Sequence, residues 1–61
     1  MKASDVKIGQ MFILDDVKYA RIDLEPSSLF PNQNLENMIS TVDLNTYKIM
    51  FINKEAKVKK V

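Results

Sequence analysis

The stretch Gly9-Gln10-Met11-Phe12-Ile13-Leu14-Asp15-Asp16-Val17-Lys18-Tyr19-Ala20-Arg21-Ile22-Asp23-Leu24 decides the fold. Apolar side chains lie on both sides of Asp15-Asp16. Aspartate is depleted in strands and common in turns, so the segment reads as two strands, about 10–14 and 17–24, closed into a β-hairpin by an acidic turn. In the second strand Val17, Tyr19 and Arg21 alternate with Lys18, Ala20, Ile22 and Leu24. The apolar set changes sides along it, which predicts a bulge or a strong bend, as in small barrels. Ahead of the hairpin, Ser4 or Asp5 is placed to cap one helical turn. Gly9 is the only glycine in the chain, positioned to supply a backbone angle other residues avoid, and Val6 and Ile8 are expected to pack beneath the first strand.

The rest of the chain extends this pattern. A third strand is expected over about 38–44, a tight connection at Asn45-Thr46 where Asn tolerates positive φ, and a fourth strand over about 47–52. Tyr47, Ile49 and Phe51 then share one face, and Lys48, Met50 and Ile52 the other. Apolar residues on both faces point to a central strand, or to a second face covered by a loop or another subunit. A short final strand over 57–61 turns Val58 inward. Residues 25–36, with two prolines and five Ser, Asn or Gln residues, read as an irregular loop, with a helical turn at Leu35–Ile39 as an alternative at its end. Alternation and β-branched enrichment outscore the helical period over 10–24 and 38–52. The expected fold is all-β: residues 1–61 as one small domain, a five-stranded, strongly bent antiparallel sheet or SH3-like barrel with one long loop at about 25–37.

Size and composition narrow the chemistry. A domain of 61 residues hides only about 60% of the surface its unfolded chain exposes. Such domains often rely on disulfides, metals or self-association. The chain has no cysteine and no histidine, so disulfides are excluded, a zinc cage is not expected, and a homo-oligomer stands beside the monomer as an open state. Without histidine or thiol the usual general base and a common nucleophile are missing, and one glycine cannot build a phosphate-cradling loop. Ser4, Ser27, Ser28 and Ser40 lie in no motif with a base. Asp15-Asp16 does not match a calcium loop. No enzyme activity, catalytic residue, metal site or cofactor is expected. With no long apolar run and no apolar signal region, the expectation is a cytoplasmic chain that does not enter a membrane.

Two surfaces remain as binding candidates. The loop carries Leu29, Phe30 and Leu35, which either fold back as a lid on the core or stand out as anchors for a larger protein. Residues 54–61 carry Lys54, Lys57, Lys59 and Lys60 against Glu55 alone, whereas residues 1–53 hold five basic and seven acidic groups. That tail reads as an edge strand kept unpaired by lysines, or, with Tyr47, as a nucleic-acid patch. Phe12 and Phe51 are expected in the core, with both tyrosines half-buried. The expected function is a non-enzymatic module that grips a larger protein through Leu29, Phe30 and Leu35, with the lysines steering approach. Nucleic-acid binding and a structural role within a larger assembly are the alternatives.

The spacing Asp5-Val6-Lys7-Ile8-Gly9-Gln10-Met11-Phe12, with Tyr19 seven residues after Phe12, resembles that of small phage and prophage proteins of uncharacterised or host-modulating type. Thr41-Val42-Asp43-Leu44-Asn45-Thr46 and Ala56-Lys57-Val58 sit where the later strands of those proteins fall. Gln10 stands where an acid is usual, and Thr46-Tyr47 lacks the glycine that often follows the turn. The resemblance covers most of the chain outside 25–37. It implies a phage-type accessory protein that inhibits or regulates a host protein, built on a small barrel. The matching positions are packing and turn residues, so no functional residue is carried over.

Overall fold

A computed structural model describes residues 1–61. Five strands form one antiparallel sheet: β1 (Met11–Leu14), β2 (Val17–Arg21), β3 (Met38–Asp43), β4 (Ile49–Asn53) and β5 (Lys59–Lys60). Their pairing order is β4-β3-β2-β1-β5. Each strand from β1 to β4 pairs with its sequence neighbour, and β5 crosses back to β1. The fold is all-β, and no helix is long and apolar enough to cross a membrane.

The hairpin has the expected turn. Leu14 pairs with Val17, leaving a two-residue loop in which Asp15 (φ 51°) and Asp16 (φ 65°) are both left-handed. That is the turn whose twist matches the flanking strands. The registers run unbroken through β1–β2 and β2–β3, so of the expected bulge or strong bend there is no bulge. The change of sides has another cause: β2 stops at Arg21, and Ile22 and Leu24 belong to the segment that leaves the sheet. Side chains directly opposite in register share a face. One face carries Phe12, Tyr19, Thr41, Ile39 and Ile52; the other carries Met11, Ala20, Val42 and Ile49.

The core lies on the first face. Ala3, Val6, Phe12, Ile39, Ile52 and Val58 form the buried cluster, with Leu14, Tyr19 and Ala56 packed against it. Phe12 stacks on Tyr19 with ring centroids 5.5 Å apart. The cover over this face comes from both ends of the chain. Ala3–Asp5 forms a 3-10 turn, and Asp5 closes it by accepting the Lys2 amide at 3.1 Å. The Ala3 amide donates to the Ala56 carbonyl at 2.8 Å, the Ser4 amide to Lys54 at 3.0 Å and the Val58 amide to Met1 at 2.8 Å. Arg21 Nη1 donates to the Val6 carbonyl, strapping the same turn to β2. Lys2 Nζ meets Glu55 at 2.9 Å. The Glu55 hydrogen bond, and then its charge, hold the Lys2 ammonium above its ordinary range. Both side chains are largely exposed, so this pair adds little to stability. No ladder joins β4 to β5; residues 54–58 carry the chain between the two edges, secured by the N-terminal segment.

Several local expectations change. Val6 is buried as expected, but Ile8 is exposed: Gly9, at φ 88°, turns the chain after the 3-10 turn and leaves Ile8 outside. Residues 25–36 are not wholly irregular, because Pro26–Leu29 forms one helical turn, α1. Pro26 sits at its first position, where a missing N–H costs nothing and the ring pre-sets φ. Leu35–Ile39 is not helical; β3 already begins at Met38. In the β3–β4 connection the left-handed residue is Tyr47 (φ 58°), not Asn45. Asp43 Oδ1 accepts the amides of Asn45 and Thr46 at 2.8 and 3.3 Å, which satisfies the turn and passes the tight angle to Tyr47. Tyr47 is therefore 81% exposed rather than half-buried, and Phe51 is only partly buried rather than core.

Two adjacent buried hydroxyls on β3 differ in a testable way. Thr41 Oγ1 donates to the Met50 carbonyl at 2.9 Å, whereas Ser40 Oγ, buried on the opposite face, has no partner. Thr41→Val should cost about 1 kcal/mol, since the shape is kept and a hydrogen bond is lost. Ser40→Ala should leave stability unchanged or raise it, because an orphaned hydroxyl is removed. Urea unfolding of the two variants checks the order.

Candidate protein-binding surface

The second face of the sheet holds the candidate site. Met11 pairs with Ala20, Ala20 with Val42, and Val42 with Ile49, so four apolar side chains form one row across four strands. Its ends are the most open: Met11 is 47% and Ile49 50% exposed. Beside this row lie Ser40 and Phe51, paired across β3 and β4. The loop comes down there. Pro26 is buried, α1 packs against β3, and the Phe30 ring meets Phe51 edge-on with centroids 5.7 Å apart and planes at 87°, a favoured aromatic geometry.

The loop residues singled out from sequence thus separate. Leu29 and Phe30 remain nearly half exposed, while Leu35 is half-buried. Phe30 is both lid and surface: one edge rests on Phe51 and the remainder faces solvent. Its contact merges the loop's apolar surface with that of β4. Beyond the Phe30 contact, a cavity of about 190 Å³ opens between the start of the loop and the sheet, with Arg21, Asp23, Glu25, Ser40 and Lys54 on its walls. Its charges are mixed in sign, and no group of three acidic, histidine or cysteine side chains is gathered anywhere in the fold.

β4 itself is the residue set that sequence reasoning missed. It stands at one edge of the sheet, not at its centre. Its run Ile49-Met50-Phe51-Ile52 has no charge, and Met50 is 41% exposed. The opposite edge is β5, only Lys59–Lys60, the short lysine-bearing edge strand that the tail composition implies and that resists pairing with other chains. The signal for β4 was present in its apolar residues on both faces, whose alternative explanation was a face covered by something else.

The lysines do not gather into one patch with Tyr47. Lys57, Lys59 and Lys60 are exposed along the β5 edge, where Lys59 and Lys60 pair with Ile13 and Phe12. Lys54 is half-buried just past the end of β4. Tyr47 precedes the other end of that strand, seven residues away along an extended path of about 20 Å.

No protein-family model, curated protein or solved structure matches the chain.

Proposed function

We propose that the chain is a non-enzymatic binding module that acts by occupying a surface on a larger protein, in the manner of a phage-type accessory protein that inhibits or regulates its host target. One observation carries this reading: the edge-on contact of Phe30 with Phe51 unites the exposed Leu29 and Phe30 with an uncharged, exposed strand. Contiguous apolar surface of this kind marks interaction sites, and aromatic residues in such patches tend to dominate binding energy. The lysines on the β5 edge supply charge that steers approach rather than affinity.

The Leu29→Ser, Phe30→Ser double variant tests this. It should keep the native circular dichroism and a cooperative melt, because neither side chain belongs to the buried cluster. Affinity capture with mass spectrometry should show a protein retained by the original chain and lost by the variant. Identical captured sets would refute the reading, and an unfolded variant would place Leu29 and Phe30 in the core instead.

A further inference from the structure

We propose that β4 accepts an extended segment of the partner protein as a sixth, antiparallel strand, and that this segment carries carboxylates opposite Lys48 and Lys54 and apolar side chains opposite Ile49 and Phe51. The inference rests on the binding-module reading and names the chemistry of the partner.

The backbone sets the geometry. The Asp43 amide donates to the Lys48 carbonyl at 2.9 Å and the Lys54 amide to the Asn37 carbonyl at 2.7 Å. Antiparallel ladders alternate bonded and non-bonded pairs. Bonding at these two ends, with the unbroken β3–β4 register between them, makes Thr41–Met50 and Ile39–Ile52 the bonded pairs. The amides and carbonyls of Ile49 and Phe51, and the amide of Asn53, therefore point away from β3 at the open edge. An exposed row of this type is a template for strand addition, where main-chain bonds supply affinity and alternate side chains supply specificity.

The side chains set the occupant. Ile49 ends the apolar row of the outer face and Phe51 stands beside it, so an added strand extends that surface with apolar residues opposite them. Lys48 and Lys54 lie just beyond the two ends of the strand, Lys48 exposed and Lys54 half-buried at the cavity wall. Neither has an acidic partner, the one ion pair in the structure being Lys2 with Glu55. In an antiparallel segment the order becomes acid, two free positions, apolar, one free position, apolar, acid. A second copy of this chain fits worse. Pairing β4 with itself about Phe51 uses all three outward-facing residues but sets Lys48 of one copy against Lys54 of the other at both ends, and like charges directly opposite are destabilising.

The test is a titration of the isotope-labelled protein with the capped peptide acetyl-Glu-Thr-Thr-Val-Thr-Ile-Glu-amide and with its twin carrying Lys for both Glu. Saturable shifts and slowed hydrogen exchange are expected at the Ile49, Phe51 and Asn53 amides with the acidic peptide. The basic twin should bind at least tenfold more weakly, and the Lys48→Glu, Lys54→Glu variant should reverse the preference. Ile49→Pro removes an outward amide that the ladder does not use, and Ile49→Lys charges the edge; either folded variant should lose the acidic peptide. No saturable response at Ile49 and Phe51, equal binding of the two peptides, or protection of these amides that rises with protein concentration alone would overturn the proposal. A natural partner still captured by the edge variants but lost by the Leu29→Ser, Phe30→Ser variant would overturn strand addition while leaving the binding-module reading intact.

Discussion

Phe12→Ala should leave the protein mostly unfolded at 25 °C. Phe12 is fully buried and is among the largest side chains in a cluster of only six residues. It also stacks on Tyr19, so truncation removes an aromatic contact from a neighbouring strand as well as its own burial. Phe-to-Ala changes in cores cost about 3–5 kcal/mol, and a core this small rarely supplies more than about that amount in total. Met11→Ala is the control. Met11 is adjacent in sequence but lies on the opposite face and is 47% exposed, so its truncation should lower stability by less than about 1 kcal/mol. The amide spectrum of Phe12→Ala should collapse to the narrow dispersion of a disordered chain, whereas that of Met11→Ala stays dispersed. A cooperative melt for Phe12→Ala close to that of the unchanged protein would show that the core is organised around other residues.

The second large effect is in the opposite direction. Replacing Asp15-Asp16 by Asn-Gly should stabilise the fold by about 1–2 kcal/mol. Both aspartates hold positive φ in the two-residue hairpin loop, a conformation that costs an L-residue about that much and that Asn-Gly adopts most readily. Both carboxylates are exposed and neither is in an ion pair, so no favourable charge contact is lost. For a domain of this size the gain corresponds to a rise in melting temperature of about 4–8 °C per kcal/mol. A variant carrying only Asp16→Gly should capture part of the gain. An unchanged or lower melting temperature would mean that the hairpin twist is set by the strands rather than the loop.

The same turn shows how much of the architecture was readable beforehand. Asp15-Asp16 punctuates two alternating runs, and local turn chemistry of that kind survives whatever the rest of the chain does. The single glycine before β1 was equally readable, because few residues tolerate a φ of 88°. The errors have non-local causes. Apolar residues on both faces of β4 say that both faces are covered or sticky, but not which neighbours the strand has; its edge position follows from β5 returning to β1, a pairing encoded nowhere near residue 49. Pro26 was read as a breaker, yet the same ring starts α1 when it occupies the first helical position. Tyr47 took the left-handed angle once the Asp43 carboxylate had claimed the amides of Asn45 and Thr46, a competition between neighbours that propensity does not rank. Of the surface residues, Leu29 and Phe30 were legible as exposed loop apolars, while Ile49 and Met50 were hidden within a run that resembled interior strand.

The way the two chain ends share one lid also has a consequence for biosynthesis. Ala3 and Val6 reach their buried positions against Val58 and Ala56, and the Ala3 and Ser4 amides are satisfied only by carbonyls of residues 56 and 54. A ribosome-bound chain whose residues 54–61 are still inside the exit tunnel can form the β1–β2 hairpin but has nothing with which to seal the interior. Maturation must therefore wait for release of the distal segment from the exit tunnel, and sequence-distant closure of this type is intrinsically slow. During that interval the uncharged fourth strand is already made and bare, which is when association with a chaperone would matter most.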